Sequence, residues 1–172
     1  SYQSYSFETL LAAYPLILLE GLLVILCLEL PLGKLLLIAG YAFNSSSDYE
    51  ILRNIKETSC YVSYDIERDR KLARETCVVN KDYRLPDKKK ITLGRERFEA
   101  AECLFNPFLV DIEKPGIPEM IFETITKSPM DCRAQLYSNI VLSGGSTMFP
   151  GYPTRVEKDL WSIFKTKIMK GE

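Results

Sequence analysis

The residues best suited to holding a ligand lie in one short run, Leu142-Ser143-Gly144-Gly145-Ser146-Thr147-Met148-Phe149-Pro150-Gly151. Two adjacent glycines let a backbone approach a flat or phosphorylated molecule closely, because no Cβ blocks the way and positive φ is tolerated. Ser146 and Thr147 add hydroxyl donors, and Met148 and Phe149 add an apolar surface suited to a purine ring. On its own, such a glycine pair reads first as a plain tight turn. It is not a P-loop elsewhere in the chain either: Lys34 follows Gly33 but has neither the upstream glycine nor the trailing Ser or Thr that cradle a triphosphate.

Other chemistries are narrowed by what the 172 residues omit. There is no histidine, which removes Ser-His-Asp and Cys-His nucleophile systems and every zinc site built on imidazole. Cys27, Cys60, Cys77, Cys103 and Cys132 are odd in number and widely spaced, so they read as buried thiols of a reducing compartment, with neither a disulfide framework nor a zinc ribbon. No catalytic residue and no metal ligand is assigned. The net charge of -1 supplies no global field toward nucleic acid or anionic lipid. Lys88-Lys89-Lys90 reads as a solvated hairpin tip rather than a phosphate site, and the sequon Asn44-Ser45-Ser46 as a loop cap.

A composition of 47% hydrophobic and 26% charged residues suits one substantial core or two small lobes. The leucine-rich stretch from Leu10 to Ala39 is interrupted by Pro15, Glu20, Glu29 and Lys34, so a membrane span or signal peptide is not expected. It reads instead as a helix from about Phe7 to Leu19, a buried strand from Leu22 to Leu28 and a helix from about Gly33 to Ala39. Ser47 and Glu50 form a capping box that starts a helix ending near Cys60, with Ile51, Leu52, Ile55 and Ser59 inward. Arg53, Lys56 and Glu57 fall off that stripe. A charged helix spans Glu67 to Arg74, and Glu75 to Leu93 reads as two strands, Val78-Val79 in one and Ile91-Thr92-Leu93 in the other, turned at Leu85-Pro86-Asp87-Lys88. Helices follow over Phe98 to Phe105, from Pro115-Gly116-Ile117-Pro118 with Ile121, Phe122 and Ile125 buried, and over Asp131 to Tyr137. Ile140-Val141-Leu142 is expected to be a short buried strand. Beyond Pro150-Gly151 a last helix carries Val156, Leu160, Ile163 and Phe164, with Pro153 in its first turn.

Several segments together resemble the actin superfamily, and its actin-related branch more than conventional actin. Leu142 to Gly151 looks like the family's adenosine-side loop. Asn54-Ile55-Lys56-Glu57-Thr58-Ser59-Cys60-Tyr61-Val62 resembles the helix on the other side of the adenine pocket. Lys34-Leu35-Leu36-Leu37, Gly40-Tyr41-Ala42-Phe43-Asn44, Tyr83-Arg84-Leu85-Pro86-Asp87 and Glu96-Arg97-Phe98-Glu99-Ala100 agree, in order, from about Lys34 to Glu172. The resemblance implies an α/β fold, partial and actin-like (ribonuclease H-like ATPase), a larger-lobe fragment with an inserted α+β subdomain. Residues 1–33 and 113–172 would form the subdomain-3-like part and 34–112 the subdomain-4-like insertion. It implies ATP, with Mg2+ in the family, contacted by Arg53, Lys56, Glu57, Gly144, Gly145, Ser146, Thr147, Met148 and Phe149.

Departures from the family pattern are also legible. The second phosphate loop, normally Asp-Ser-Gly-Asp-Gly, would fall on Glu29-Leu30-Pro31-Leu32-Gly33, where proline has no N–H to offer and the leucines offer nothing polar. Lys88 stands where the family usually has glycine, and Phe149 where it usually has tyrosine. The resemblance therefore implies a scaffold that binds ATP within an actin-nucleating complex, with actin and the other subunits as partners, in the cytoplasm and cytoskeleton, without nucleic acid and without a membrane. The alternatives are a truncated family chain with no autonomous activity and an actin-like ATPase; hydrolysis by this chain alone is not expected.

Overall fold

The computed structural model describes residues 29–43 and 46–169. Seven α-helices and one two-stranded sheet are present among them: α1 (Glu29–Ile38), α2 (Ser46–Ser59), α3 (Ile66–Glu75), β1 (Lys81–Arg84), β2 (Lys90–Leu93), α4 (Glu96–Glu102), α5 (Ile117–Lys127), α6 (Met130–Ser138) and α7 (Tyr152–Phe164). Short 3-10 turns cover Pro107–Val110 and Gly145–Met148, and a π turn, Lys165–Met169, extends α7. The described part is thus mostly helical. The helix and strand expected over Phe7 to Leu28 lie outside the described residues.

Burial follows the helical stripes. Leu32 and Leu36 of α1 lie one turn apart and pack with Leu52 and Ile55 of α2, Ile91 and Leu93 of β2, Ala100 and Ala101 of α4, and Tyr152 and Val156 of α7 in one cluster. The hairpin obeys strand alternation: in β2 Ile91 and Leu93 are buried while Lys90 and Thr92 are exposed. Pairing is antiparallel, with Tyr83 opposite Ile91 and Arg84 opposite Lys90. The expected Pro86-Asp87 turn closes it, the Leu85 N–H donating to the Lys89 carbonyl at 2.9 Å. Lys88 takes the left-handed conformation there, φ 69°, a region that favours glycine.

Four expectations are corrected. The first strand lies at Lys81–Arg84, not at Val78-Val79, which form a turn with Val79 buried and Val78 exposed. Its place is fixed by pairing with β2, a constraint that β-propensity does not contain. Ile140-Val141-Leu142 is not a strand, and Val141 is exposed; a strand needs a neighbour for its backbone groups, and the sheet of the described residues has only β1 and β2. The helix expected from Phe98 to Phe105 is shorter and earlier, Glu96–Glu102, with tight turns beyond it. Glu29 to Gly33 are the opening turns of α1 rather than a loop. Proline is tolerated near a helix start, where N–H groups lack intrahelical acceptors.

Among the described residues no helix is long and apolar enough to cross a membrane. One open groove of about 1020 Å³ runs between α6, the Ile140 to Leu142 segment and α7, and Tyr137, Leu142, Trp161 and Phe164 are among its lining residues.

Candidate functional site

The amphipathic spacing of α2 buries Leu52, Ile55 and Ser59 and leaves Arg53 and Glu57 on the open side. Arg53 and Glu57 form an exposed ion pair at 3.2 Å, one turn apart. Lys56, in the last turn, is half-buried. Beyond the helix end, the chain from Ser59 to Ser63 turns inward, and this run is held by two arginines. Arg97 donates to the Ser59 carbonyl at 2.8 Å and to the Val79 carbonyl, while its guanidinium lies 5.1 Å from the Tyr61 ring centre. Arg155 donates to the Ser63 carbonyl at 2.7 Å.

The glycine turn is the second element. Gly144 has φ 114° and ψ 163°, a backbone region closed to other residues, so a glycine is required there. Gly145 begins the 3-10 turn with open space where a Cβ would project. The Thr147 hydroxyl donates to the Gly144 carbonyl at 2.7 Å, closing the turn internally and leaving only its lone pairs for a ligand. Ser146 is half-buried and Met148 is 80% exposed. Phe149 is buried in the core cluster, so its ring serves packing rather than an open pocket face.

The two sequence-distant elements are stitched together just beyond these residues. The Val62 N–H donates to the Pro150 carbonyl at 2.9 Å. Gly151, φ 85°, passes so close to Val62 that a Cβ would sit 2.5 Å from the Val62 carbonyl oxygen. The segment leaving Lys56 and Glu57 and the segment leaving Gly144 to Met148 therefore share one fixed junction.

Behind the junction lies a polar network that sequence reasoning missed. Arg155 and Glu102 are 7% and 5% exposed and meet through two bonds, Nη1 to Oε2 at 3.0 Å and Nη2 to Oε1 at 2.7 Å. Nε donates to Asp159 at 2.7 Å, and the guanidinium lies 4.8 Å from the Phe105 ring centre. Burial alone would lower the pKa of Arg155, but the Glu102 hydrogen bonds and the charges of Glu102 and Asp159 outweigh it and hold the pKa above its ordinary value. The available signal was positional: Glu102 shares a helical stripe with Phe98 and Ala101, and Arg155 with Tyr152 and Val156. A charge in the middle of an apolar stripe needs a partner.

Cys60, at the same junction, is a different kind of group. Burial pushes its thiol up to about 12, with Arg97 pulling weakly the other way, so it stays protonated and unreactive at neutral pH. No group of three or more Cys, Asp or Glu residues able to hold a metal ion occurs among the described residues.

The chain is 51% identical to actin-related protein 2 of Acanthamoeba castellanii over 138 residues, covering 80% of this chain and 36% of that protein. It is 51% identical to the actin-related protein 2 of Saccharomyces cerevisiae over 133 residues, 77% and 34% of the two chains. To that of Drosophila melanogaster it is 50% identical over 139 residues, 81% and 35%. The chain spans about a third of the length of these curated relatives. A family model described as Actin matches residues 34–170, which include the α2 end, the glycine turn and the junction between them, and the chain belongs to the actin family.

Proposed function

We propose that the chain is part of an ATP-binding scaffold, an actin-related protein 2-like component of the actin-related protein 2/3 complex that nucleates branched actin filaments. On this reading its partners are actin and the other subunits of that complex, and its place is the cytoplasm and cytoskeleton. Residues 34–112 act as the subdomain-4-like insertion and 113–172 as the subdomain-3-like part. The observation that carries the nucleotide contact is the junction of Val62 with Pro150 and Gly151, which joins the Lys56 and Glu57 segment to the glycine turn. ATP serves as a ligand whose binding energy favours one arrangement of the scaffold.

Hydrolysis is not assigned to this chain alone. Phosphoryl transfer needs a phosphate clamp and a positioned water. The residues lying where the family's second phosphate loop belongs are helical, with Pro31 and Leu32 buried, which supports this reading.

The test is ligand-induced stabilisation of the 172-residue chain. ATP is expected to raise its melting temperature by a small amount, and Lys56→Ala combined with Gly145→Val to remove that rise. Gly145→Val is a suitable probe, because a Cβ added at Gly145 points into open space, with no atom beyond its chain neighbours within 4 Å. No shift at millimolar ATP would overturn the nucleotide reading. A pull-down against the other subunits of the complex tests the scaffold reading, and a folded chain that captures none of them would overturn it.

A further inference from the structure

We infer that Arg155 is a positioning residue that sets the register of the glycine turn against the end of α2, and through it the affinity of the nucleotide site; this role rests on the nucleotide reading above. The chain of contacts is continuous. On one side, the Arg155 backbone N–H donates to the Gly151 carbonyl at 3.1 Å, which anchors the residue in the first turn of α7 directly after the glycine turn. On the other side, its guanidinium holds the Ser63 carbonyl, next to the Val62 that bonds Pro150. Lys158, about one turn further along α7, donates to the Tyr64 carbonyl at 2.6 Å. Residues 62, 63 and 64 are thus tied in succession to residues 150, 155 and 158.

Arginine is needed here for its fork. Four hydrogen bonds leave the guanidinium in three directions, two to Glu102, one to Asp159 and one to Ser63. Glu102 lies in α4 and Asp159 in α7, so the guanidinium plane is fixed by two helices before it reaches the carbonyl. A lysine is a point donor and cannot satisfy all three partners at once. The Ser63 hydroxyl is buried without a hydrogen-bond partner, so what the clamp uses at Ser63 is its backbone carbonyl. A buried ion pair is a weak source of stability, since an apolar pair of similar volume does about as well, but it can specify one register.

That distinction gives the experiment. Arg155→Met alone leaves the Glu102 carboxylate buried and unpaired and can fail to fold, so the informative variant is Arg155→Met with Glu102→Leu, beside Arg155→Lys and, as a control that keeps the carbonyl, Ser63→Ala. The readouts are the melting temperature, amide hydrogen exchange at Val62 and the ATP dissociation constant. The double variant is expected to melt close to the parent chain while Val62 exchanges on the order of tenfold to a hundredfold faster, the loss of a hydrogen bond to a charged group. ATP affinity should fall about tenfold in the same variant, whereas Ser63→Ala changes neither. Unchanged Val62 protection in the folded double variant would overturn the positioning role whatever ATP does. Faster exchange in a chain whose parent form binds no ATP would support the clamp and overturn the nucleotide reading.

Discussion

Helix α7 is held in different ways on its two flanks. Toward α4 and the Val62-Ser63 run, Tyr152, Arg155 and Val156 are buried, and each polar atom of the guanidinium has a specific acceptor. Toward α6, the helix borders the open groove, where Trp161 stays 55% exposed and the contacts are rings: Tyr137 against Phe164 edge-on at 5.4 Å, and Trp161 stacked on Phe164 at 5.8 Å. Ring contacts tolerate sliding because dispersion has little direction, whereas a bidentate ion pair has one geometry. The closed flank is the one that meets the glycine turn. Position is specified on the flank that meets the glycine turn, and left loose on the other.

The largest effect should come from breaking the closed flank. Glu102→Ala removes two of the four hydrogen bonds of the buried Arg155 guanidinium and leaves Asp159 as its one carboxylate partner, and is expected to cost about 3 kcal/mol, seen as a lower urea midpoint. Alkaline titration probes the same flank. Because the folded Cys60 thiol is raised and the unfolded one is not, the folded state holds its proton between pH 9 and about 12, so the Cys60 contribution is intact below pH 9 and is lost as pH rises through that window. Relative to Cys60→Ala, the chain should lose up to roughly 1.4 kcal/mol per pH unit there; parallel stability curves for the two proteins would refute it. On the open flank, Phe164→Ala removes two ring pairs and should cost only about 1 kcal/mol. A cost equal to that of Glu102→Ala would erase the contrast between flanks. Away from both, Lys88→Gly relieves a left-handed backbone and should stabilise by about 0.5 kcal/mol, less than the strain itself because glycine also loosens the unfolded chain.

The sequence carried what is local. Helix α2 was legible from its inward stripe, α5 and α7 from apolar spacing and the prolines at 118 and 153, and the hairpin from Pro86-Asp87. What depended on a distant partner was not legible. Ile140-Val141-Leu142 has the composition of a strand, but composition does not name a neighbour to pair with, and the segment is exposed at Val141. Val78-Val79 drew the first strand too early because the register belongs to β2. Of the candidate site, the backbone demands were legible as glycines, and the family resemblance brought α2 to the turn. The clamp was legible only as two charges set in apolar stripes, since Glu102 and Arg155 are 53 residues apart and nothing local names one as the partner of the other. Phe149 read as a ligand surface because an aromatic beside a glycine turn carries no mark of which way it faces.

The ties between the Ser63-Tyr64 run and α7 also order their own appearance in time. The Ser63 and Tyr64 bonds to α7 span 92 and 94 residues of chain. Closing a loop of that length costs entropy before any contact compensates it, so these ties belong to the slow, non-local part of folding. Helix α2 can be nucleated from its own turns, but the junction of Val62 with Pro150 and Gly151 cannot form until the chain that leads into α7 has been made and has settled. During synthesis, Ser63 and Tyr64 would therefore emerge from the ribosome long before the helix that holds their carbonyls.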